Sequence, residues 1–182
     1  RLRWIDEDAG IPDRISHMMH PDKYQPAWGE WISEDVVGHM EALLGGPVRH
    51  SLFGMLASGG GRDYRMAWHR DLGKPGAVDE LDSLRRHHGQ CVQFNAPIAA
   101  TDAYLHVVPG SHLRPSTTQE IAASRSGVEG EIAAGIEVRL EPGDILYSNA
   151  NPWPRGWHPE GCWPWTMPAA CRKAGWPVLS HG

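Results

Sequence analysis

Cysteine is scarce in this chain, and the three residues present, Cys91, Cys162 and Cys171, form no Cys-x-x-Cys pair. An odd number at such spacing argues against a disulfide framework and against a zinc site, so a reducing cytoplasm is the expected setting. Long apolar runs are missing too, and no stretch could span a bilayer. Positive charge is not in excess: the net charge is −5 over 182 residues, which removes the electrostatic reason to expect nucleic acid or an anionic membrane as partner. The opening Arg1-Leu2-Arg3-Trp4-Ile5-Asp6 has neither an initiator methionine nor the apolar core of a signal peptide, so the chain reads as truncated or processed at its N-terminus. Gly-x-Ser-x-Gly is absent, so Ser111 is no nucleophile elbow, and neither P-loop nor Rossmann glycines occur.

What is present is turn-forming: 21 Gly and 15 Pro, with nine Trp, in a chain that is 41% hydrophobic and 21% charged. That composition fits one globular domain over residues 1–182, rich in strands and poor in long helices. Residues 1–26 read as irregular with short helical turns, His17 and His20 sharing a face, either as a partly buried segment or as a substrate lid. Ser33 caps a helix to Leu44, with Glu34 and Asp35 in its first turn, Val36, Val37, Met40, Leu43 and Leu44 at helical spacing, and Gly45-Gly46-Pro47 as its stop. Strands are expected at Val48–Ala57, Arg65–His69, Gln90–Ile98, Tyr104–Val108, Ile136–Leu140 and Asp144–Ser148, with a Gly59-Gly60-Gly61 turn. A polar insertion over 73–88 holds a short helix at Asp79–Arg86. Strands at this density imply a sandwich or barrel with a few flanking helices.

The chemistry concentrates in Trp68-His69-Arg70-Asp71. On a strand, residues i and i+2 point to the same side, so His69 and Asp71 can grip one metal from one edge. They would supply two thirds of the 2-His-1-carboxylate triad of non-haem Fe(II) oxygenases, which leaves open positions for cosubstrate and dioxygen. An isolated His-x-Asp is weak, because a histidine paired with a neighbouring aspartate is the commoner arrangement. Gln93 and Asn95 alternate with Val92 and Phe94, and Arg65 shares the parity of His69. Arg85-Arg86-His87-His88 reads either as a solvated loop or as a clamp for an anionic substrate.

WHRD, VQFNAPI, VVPGSH and PGDILY follow one another in that order. Together they resemble the phytanoyl-CoA dioxygenase family from about Leu52 onward, with VVPGSH the most specific. The resemblance implies a mainly β, double-stranded β-helix (jelly-roll or cupin-like barrel), Fe(II) and 2-oxoglutarate as cofactors, and hydroxylation of a small-molecule substrate. It implies His69 and Asp71 as metal ligands and a structural role for His112. The strand carrying Gln93 borders the iron pocket in that family, which makes Gln93 a candidate cosubstrate contact.

Two positions depart from the family. Where its second metal histidine is expected, the frame Asn149-Ala150-Asn151-Pro152-Trp153-Pro154-Arg155-Gly156-Trp157-His158 has Pro154. Where the arginine that holds the far carboxylate of 2-oxoglutarate is expected, Cys162-Trp163-Pro164-Trp165 stands. His158 is the candidate third ligand, and Arg155, Arg65 and Arg172 are candidate carboxylate partners. Prolines and cysteines from Pro152 to Cys171 speak against a regular central strand there. The alternatives are an active oxygenase, a catalytically impaired or non-catalytic binding domain on the same scaffold, and a cupin-like metalloprotein without 2-oxoglutarate.

Overall fold

The computed structural model describes residues 14–57, 64–98, 102–158 and 165–175. The Gly59-Gly60-Gly61 turn, the Cys162-Trp163-Pro164 segment, the first thirteen residues and the tail from Trp176 lie outside them. In chain order the elements are β1 (Arg14–Ser16), α1 (Pro26–Glu30), α2 (Glu34–Leu44), β2 (Val48–Ala57), β3 (Tyr64–Arg65), α3 (Glu80–His87) and β4 (Cys91–Pro97). They continue with β5 (Asp102–Val108), α4 (Thr118–Arg125), β6 (Ile136–Leu140), β7 (Leu146–Asn149), β8 (Trp153–His158) and β9 (Trp165–Lys173).

One sheet has the order β1-β2-β9-β4-β7 and the other β3-β8-β5-β6, and every recorded pair is antiparallel. From β2 onward the chain crosses between the sheets at each step except β5 to β6. That alternation is the double-stranded β-helix, or jelly roll, implied by the sequence.

The hydrophobic weight lies on the outer faces of the sheets. Ser33 Oγ accepts from the Val36 N–H at 3.4 Å and starts α2, and Gly45, at φ +69°, ends it in the left-handed region that glycine tolerates. Val36, Met40 and Leu44 form one stripe, and they pack with Met18, Phe53, Met55, Val92, Phe94 and Cys171 on the five-stranded sheet. Each such side chain contributes about 1.5–3 kcal/mol on full burial. Burial pushes the Cys171 thiol up to about 11, so it remains a neutral core residue. Outside the four-stranded sheet, Trp68, Val108, Ala123, Ile132 and Trp153 form a second cluster. Between the sheets, among the described residues, a smaller cluster of Cys91, Ala150 and Ala170 is buried, with Leu52 and Leu72 against it. The interior of the barrel is therefore left open.

Three differences from the sequence reading have physical causes. Residues Trp153–His158 and Trp165–Lys173 are central strands despite Pro154 and Pro168. A strand residue directs its N and its C=O to the same neighbour. The Pro154 carbonyl accepts from His69 N at 3.2 Å, so its missing N–H faces the irregular segment after β3 and costs β5 no ladder bond. Helix α4 went unread although Thr117 and Glu120 form a reciprocal capping box. Residues 14–16 are not irregular but extend the sheet through β1.

Candidate functional site

His69 and Asp71 lie just beyond β3, in a segment that leaves regular strand geometry after Arg65. The parity expected to bring Arg65 alongside His69 therefore fails. Met66 N still donates to Gly156 O at 2.7 Å and His69 N to Pro154 O at 3.2 Å, so the segment runs along the start of β8.

The two side chains meet, with His69 Nε2 at 3.4 Å from Asp71 Oδ1. Two ligands at right angles on a first-row metal stand about 3 Å apart when each bond is near 2.1 Å. His69 Nδ1 donates to the Ala67 carbonyl at 2.9 Å, which leaves Nε2 directed at Asp71, donating to it when protonated and offering a lone pair when not. Gln93 Nε2 donates to Asp71 Oδ2 at 2.8 Å and fixes the other carboxylate oxygen. Burial draws the His69 imidazole down, but its hydrogen bonds to Asp71 and Ala67 and the charge of Asp71 outweigh it, and its pKa lies above the ordinary histidine value. A metal would therefore compete with a proton here, and its affinity falls as the pH drops.

Arg70, between the two, points the opposite way and is fully enclosed. Its Nε lies 3.3 Å from Glu80 Oε1 and 3.2 Å from Ser116 Oγ. Its Nη atoms donate to Asn151 O at 2.6 Å, Ser111 O at 3.0 Å and Arg114 O at 3.2 Å. The guanidinium sits 5.3 Å over the Trp153 ring. Glu80 in turn accepts from Gly76 N at 2.9 Å, from Ser116 N at 3.0 Å and from the Ser116 hydroxyl. This anchor ties the His69–Asp71 segment to α3, β8 and the loop after β5. Ser111 reinforces it, since its hydroxyl donates to Val108 O at 2.7 Å and accepts from Trp153 N at 2.8 Å. VVPGSH thus supplies the brace at the start of β8. His112 stacks on His88 at 5.9 Å between ring centroids.

The other candidates are distributed unevenly. Gln93 joins the pair. Arg155 lies on the opposite face of β8 from Pro154, with Nη1 at 2.7 Å from Glu131 Oε1 and 3.3 Å from Gly130 O, and its guanidinium 5.0 Å over the Trp68 ring. Arg65 Nη1 pairs with Glu129 Oε1 at 3.1 Å. Arg155 also lines the cavity that holds His69 and Asp71. Pro154 lines the same cavity as His69 and Asp71, at the level where a third ligand would stand. His158 pairs with Tyr64 at the far end of β8, about 13 Å along the strand from Pro154 at 3.3 Å per residue. Among the described residues no group of three or more His, Cys, Asp or Glu converges on one point. The donors gathered here are one imidazole and one carboxylate, with Pro154 lining the same cavity.

Two cavities meet at Asp71 and Gln93. The inner one, about 140 Å³, runs between the sheets past His69, Asn95, Tyr104, Pro154 and Pro168. The outer one, about 540 Å³, opens over Arg49, His50, Cys91 and Arg172, within the usual range of small-molecule sites. Gly156 is required in the inner wall, because a Cβ there would lie 2.1 Å from the Tyr104 ring and hydroxyl. Gly156→Ala is expected to destabilise the fold by about 1–3 kcal/mol through overpacking, read as a lower urea midpoint; an unchanged midpoint would show that Tyr104 yields freely.

Neither a protein-family profile nor a curated protein sequence matches the chain. Solved structures do. AviO1 from Streptomyces viridochromogenes Tue57 superposes with a TM-score of 0.67 at 18% identity, over 92% of this chain and 69% of AviO1. HygX from Streptomyces hygroscopicus, solved with nickel and 2-oxoglutarate bound, gives 0.68 at 15% identity, over 97% of this chain and 75% of HygX. HygX has also been solved with iron, and with hygromycin B. EctD from S. alaskensis, solved with 2-oxoglutarate and 5-hydroxyectoine, gives 0.63 at 14% identity, over 88% of this chain and 56% of EctD. At these identities the likeness is one of fold.

Proposed function

We propose that this chain is an Fe(II)- and 2-oxoglutarate-dependent oxygenase of the phytanoyl-CoA dioxygenase type, acting on a small molecule. The observation that carries this reading is the His69–Asp71 pair, 3.4 Å apart and braced by Gln93 and Ala67, at the junction of two cavities in an open jelly roll. Two neighbours on the same fold, HygX and EctD, were solved with 2-oxoglutarate.

His69 Nε2 and Asp71 would hold the metal. A bound ferrous ion with 2-oxoglutarate supplies dioxygen activation, with 2-oxoglutarate oxidised to succinate and carbon dioxide as a C–H bond is hydroxylated. The protein's part is positional. Ala67 fixes the imidazole tautomer, Gln93 fixes the carboxylate, and Arg70 fixes the backbone between them. Leu56, Met66, Leu105 and Pro168 give the inner cavity an apolar wall beside the pair.

The chain supplied with Fe(II), 2-oxoglutarate and air is expected to form succinate and to retain iron through gel filtration, and Asp71→Ala is expected to do neither. Wild-type protein that binds no iron and forms no succinate would refute the metal reading. A second reading, a non-catalytic binding domain on the same scaffold, is favoured by Pro154 in the third ligand's place. It predicts ligand binding without succinate.

A further inference from the structure

His88 and His112 take no part in the metal chemistry, yet they face each other. Their rings lie 10° from parallel and 5.9 Å apart between centroids, within the range of offset stacking. His88 ends α3, and His112 sits in the turn Ser111–Leu113 that follows β5. His88 is exposed and His112 half-buried. Among the described residues neither ring has a hydrogen-bond partner. The charges around the stack are these. On α3, Arg85 lies 3.7 Å from Asp82 and Arg86 3.9 Å from Asp79, and His87 Nδ1 bonds the Ser83 carbonyl at 2.7 Å. Arg70 faces Glu80 at 3.3 Å, and Arg114 faces Glu120 at 2.7 Å. Each of these carboxylates thus already answers an arginine. Cys91 and Tyr147 line a cavity with His88 on its other side, and burial pushes both of their pKa values up, so they stay neutral. The C-terminal end of α3 favours a proton on His88. A second proton, on His112, meets that charge and Arg70. Burial first, then His88 and Arg70, hold the His112 imidazole below the ordinary histidine value.

We propose that the His88–His112 stack is an acid-released clasp that holds the end of α3 against the loop after β5. Two neutral rings stack, and one protonated ring still rests on its neutral partner. When both carry a proton they repel, and the exposed His88 moves off with the end of α3. The sign follows from the burial of His112. A folded-state value below the unfolded one removes stability as pH falls below the unfolded histidine value, about 6.5. Both sides of the clasp hold Arg70. Ser111, beside His112, accepts from it through its carbonyl at 3.0 Å, and Glu80, at the start of α3, is its ion partner. Release therefore loosens the segment between His69 and Asp71. The clasp needs neither iron nor 2-oxoglutarate, so it stands apart from the oxygenase reading.

Amide hydrogen exchange of the metal-free full chain, corrected for the intrinsic rate at each pH, tests it. Protection across α3 is expected to fall by about threefold or more between pH 7.5 and 5.5 in wild type. His88→Phe keeps a ring against His112 without a second charge and is expected to hold its protection over that range. His112→Gln loses the stack, so α3 should start less protected and then show no acid loss. His87→Gln, whose parent ring bonds Ser83, should respond as wild type does. Proton NMR gives an independent readout. The His112 ring is expected to titrate below the ordinary histidine value and to move up towards it in His88→Gln. Wild-type protection that ignores pH, an acid loss that persists in His88→Phe, or one that His87→Gln abolishes overturns the clasp. So does a His112 titration that the His88 substitution leaves unmoved.

Discussion

Pro154→His is expected to bind Co(II), as a spectroscopic stand-in for Fe(II), about tenfold or more tightly than wild type, because outer-shell contacts alone are worth 10–100-fold and a full ligand is worth no less. Succinate formation should rise with it. The backbone is already in place. Residue 154 lines the cavity with His69 and Asp71, and its carbonyl takes the His69 N–H at 3.2 Å. Histidine also restores an N–H to β8 on the side facing the His69 segment, so the change asks nothing of the β5 ladder. Metal titration followed by Co(II) absorption decides it. Unimproved affinity would mean that the ring at 154 cannot reach the metal. Tight binding by wild type that His158→Ala abolishes would mean that His158 supplies the third donor in spite of its register.

Arg70→Met is expected to cost about 3–5 kcal/mol of stability, the usual penalty for breaking a buried ion pair and leaving one charge behind. Glu80 would be that charge, at 3% side-chain exposure beside a fully enclosed arginine. Its carboxyl is pushed up by burial, yet Ser116, the Gly76 and Ser116 amides and Arg70 outweigh this and hold it below the usual carboxylate range. A depressed folded-state value stabilises above the unfolded value and loses that stabilisation as pH falls through the folded one. Wild type should therefore weaken on acidification in this range, and Arg70→Met/Glu80→Gln should weaken less. Urea unfolding of wild type, both single variants and the double variant between pH 3 and 7 measures the coupling, with Arg70→Met/Glu80→Gln less damaged than the sum of its parts. Additive losses would show that Arg70 acts independently of Glu80, through its carbonyl partners and Trp153. Metal affinity is expected to fall in Arg70→Met even where the fold survives, since the segment that carries both ligands loses its anchor.

Much of this was legible in the sequence, for identifiable reasons. Ser33 with its acidic first turn marked α2, and alternating residues marked β4, because those signals are local. His69, Asp71 and Gln93 are legible from the His-x-Asp motif and from strand alternation, and the chain brings the three together. The late strands were obscured because proline speaks against a strand on average, while the cost at Pro154 depends on which neighbour the missing N–H would face. The role of Arg70 could not be read either. It follows from partners at Glu80, Ser111, Arg114, Ser116 and Asn151, and a sequence gives no distances between them. The sequence offers Arg172 as one of several candidate carboxylate partners. Its cross-strand pairing with Arg49 depends on a single extra residue at Ser51, which no periodicity announces. The capping box at Thr117 and Glu120 is a local signal of the same kind as Ser33.

The placement of the apolar clusters bears on how such a chain can change. The residues that hold it folded pack outside the barrel, under α2 and around Trp68 and Trp153, while those that meet a ligand stand inside it. Inherited substitutions in the cavity walls can then alter what is bound at little cost to folding, and those under α2 cannot. The barrel's shape and its cavity lining are therefore free to change separately.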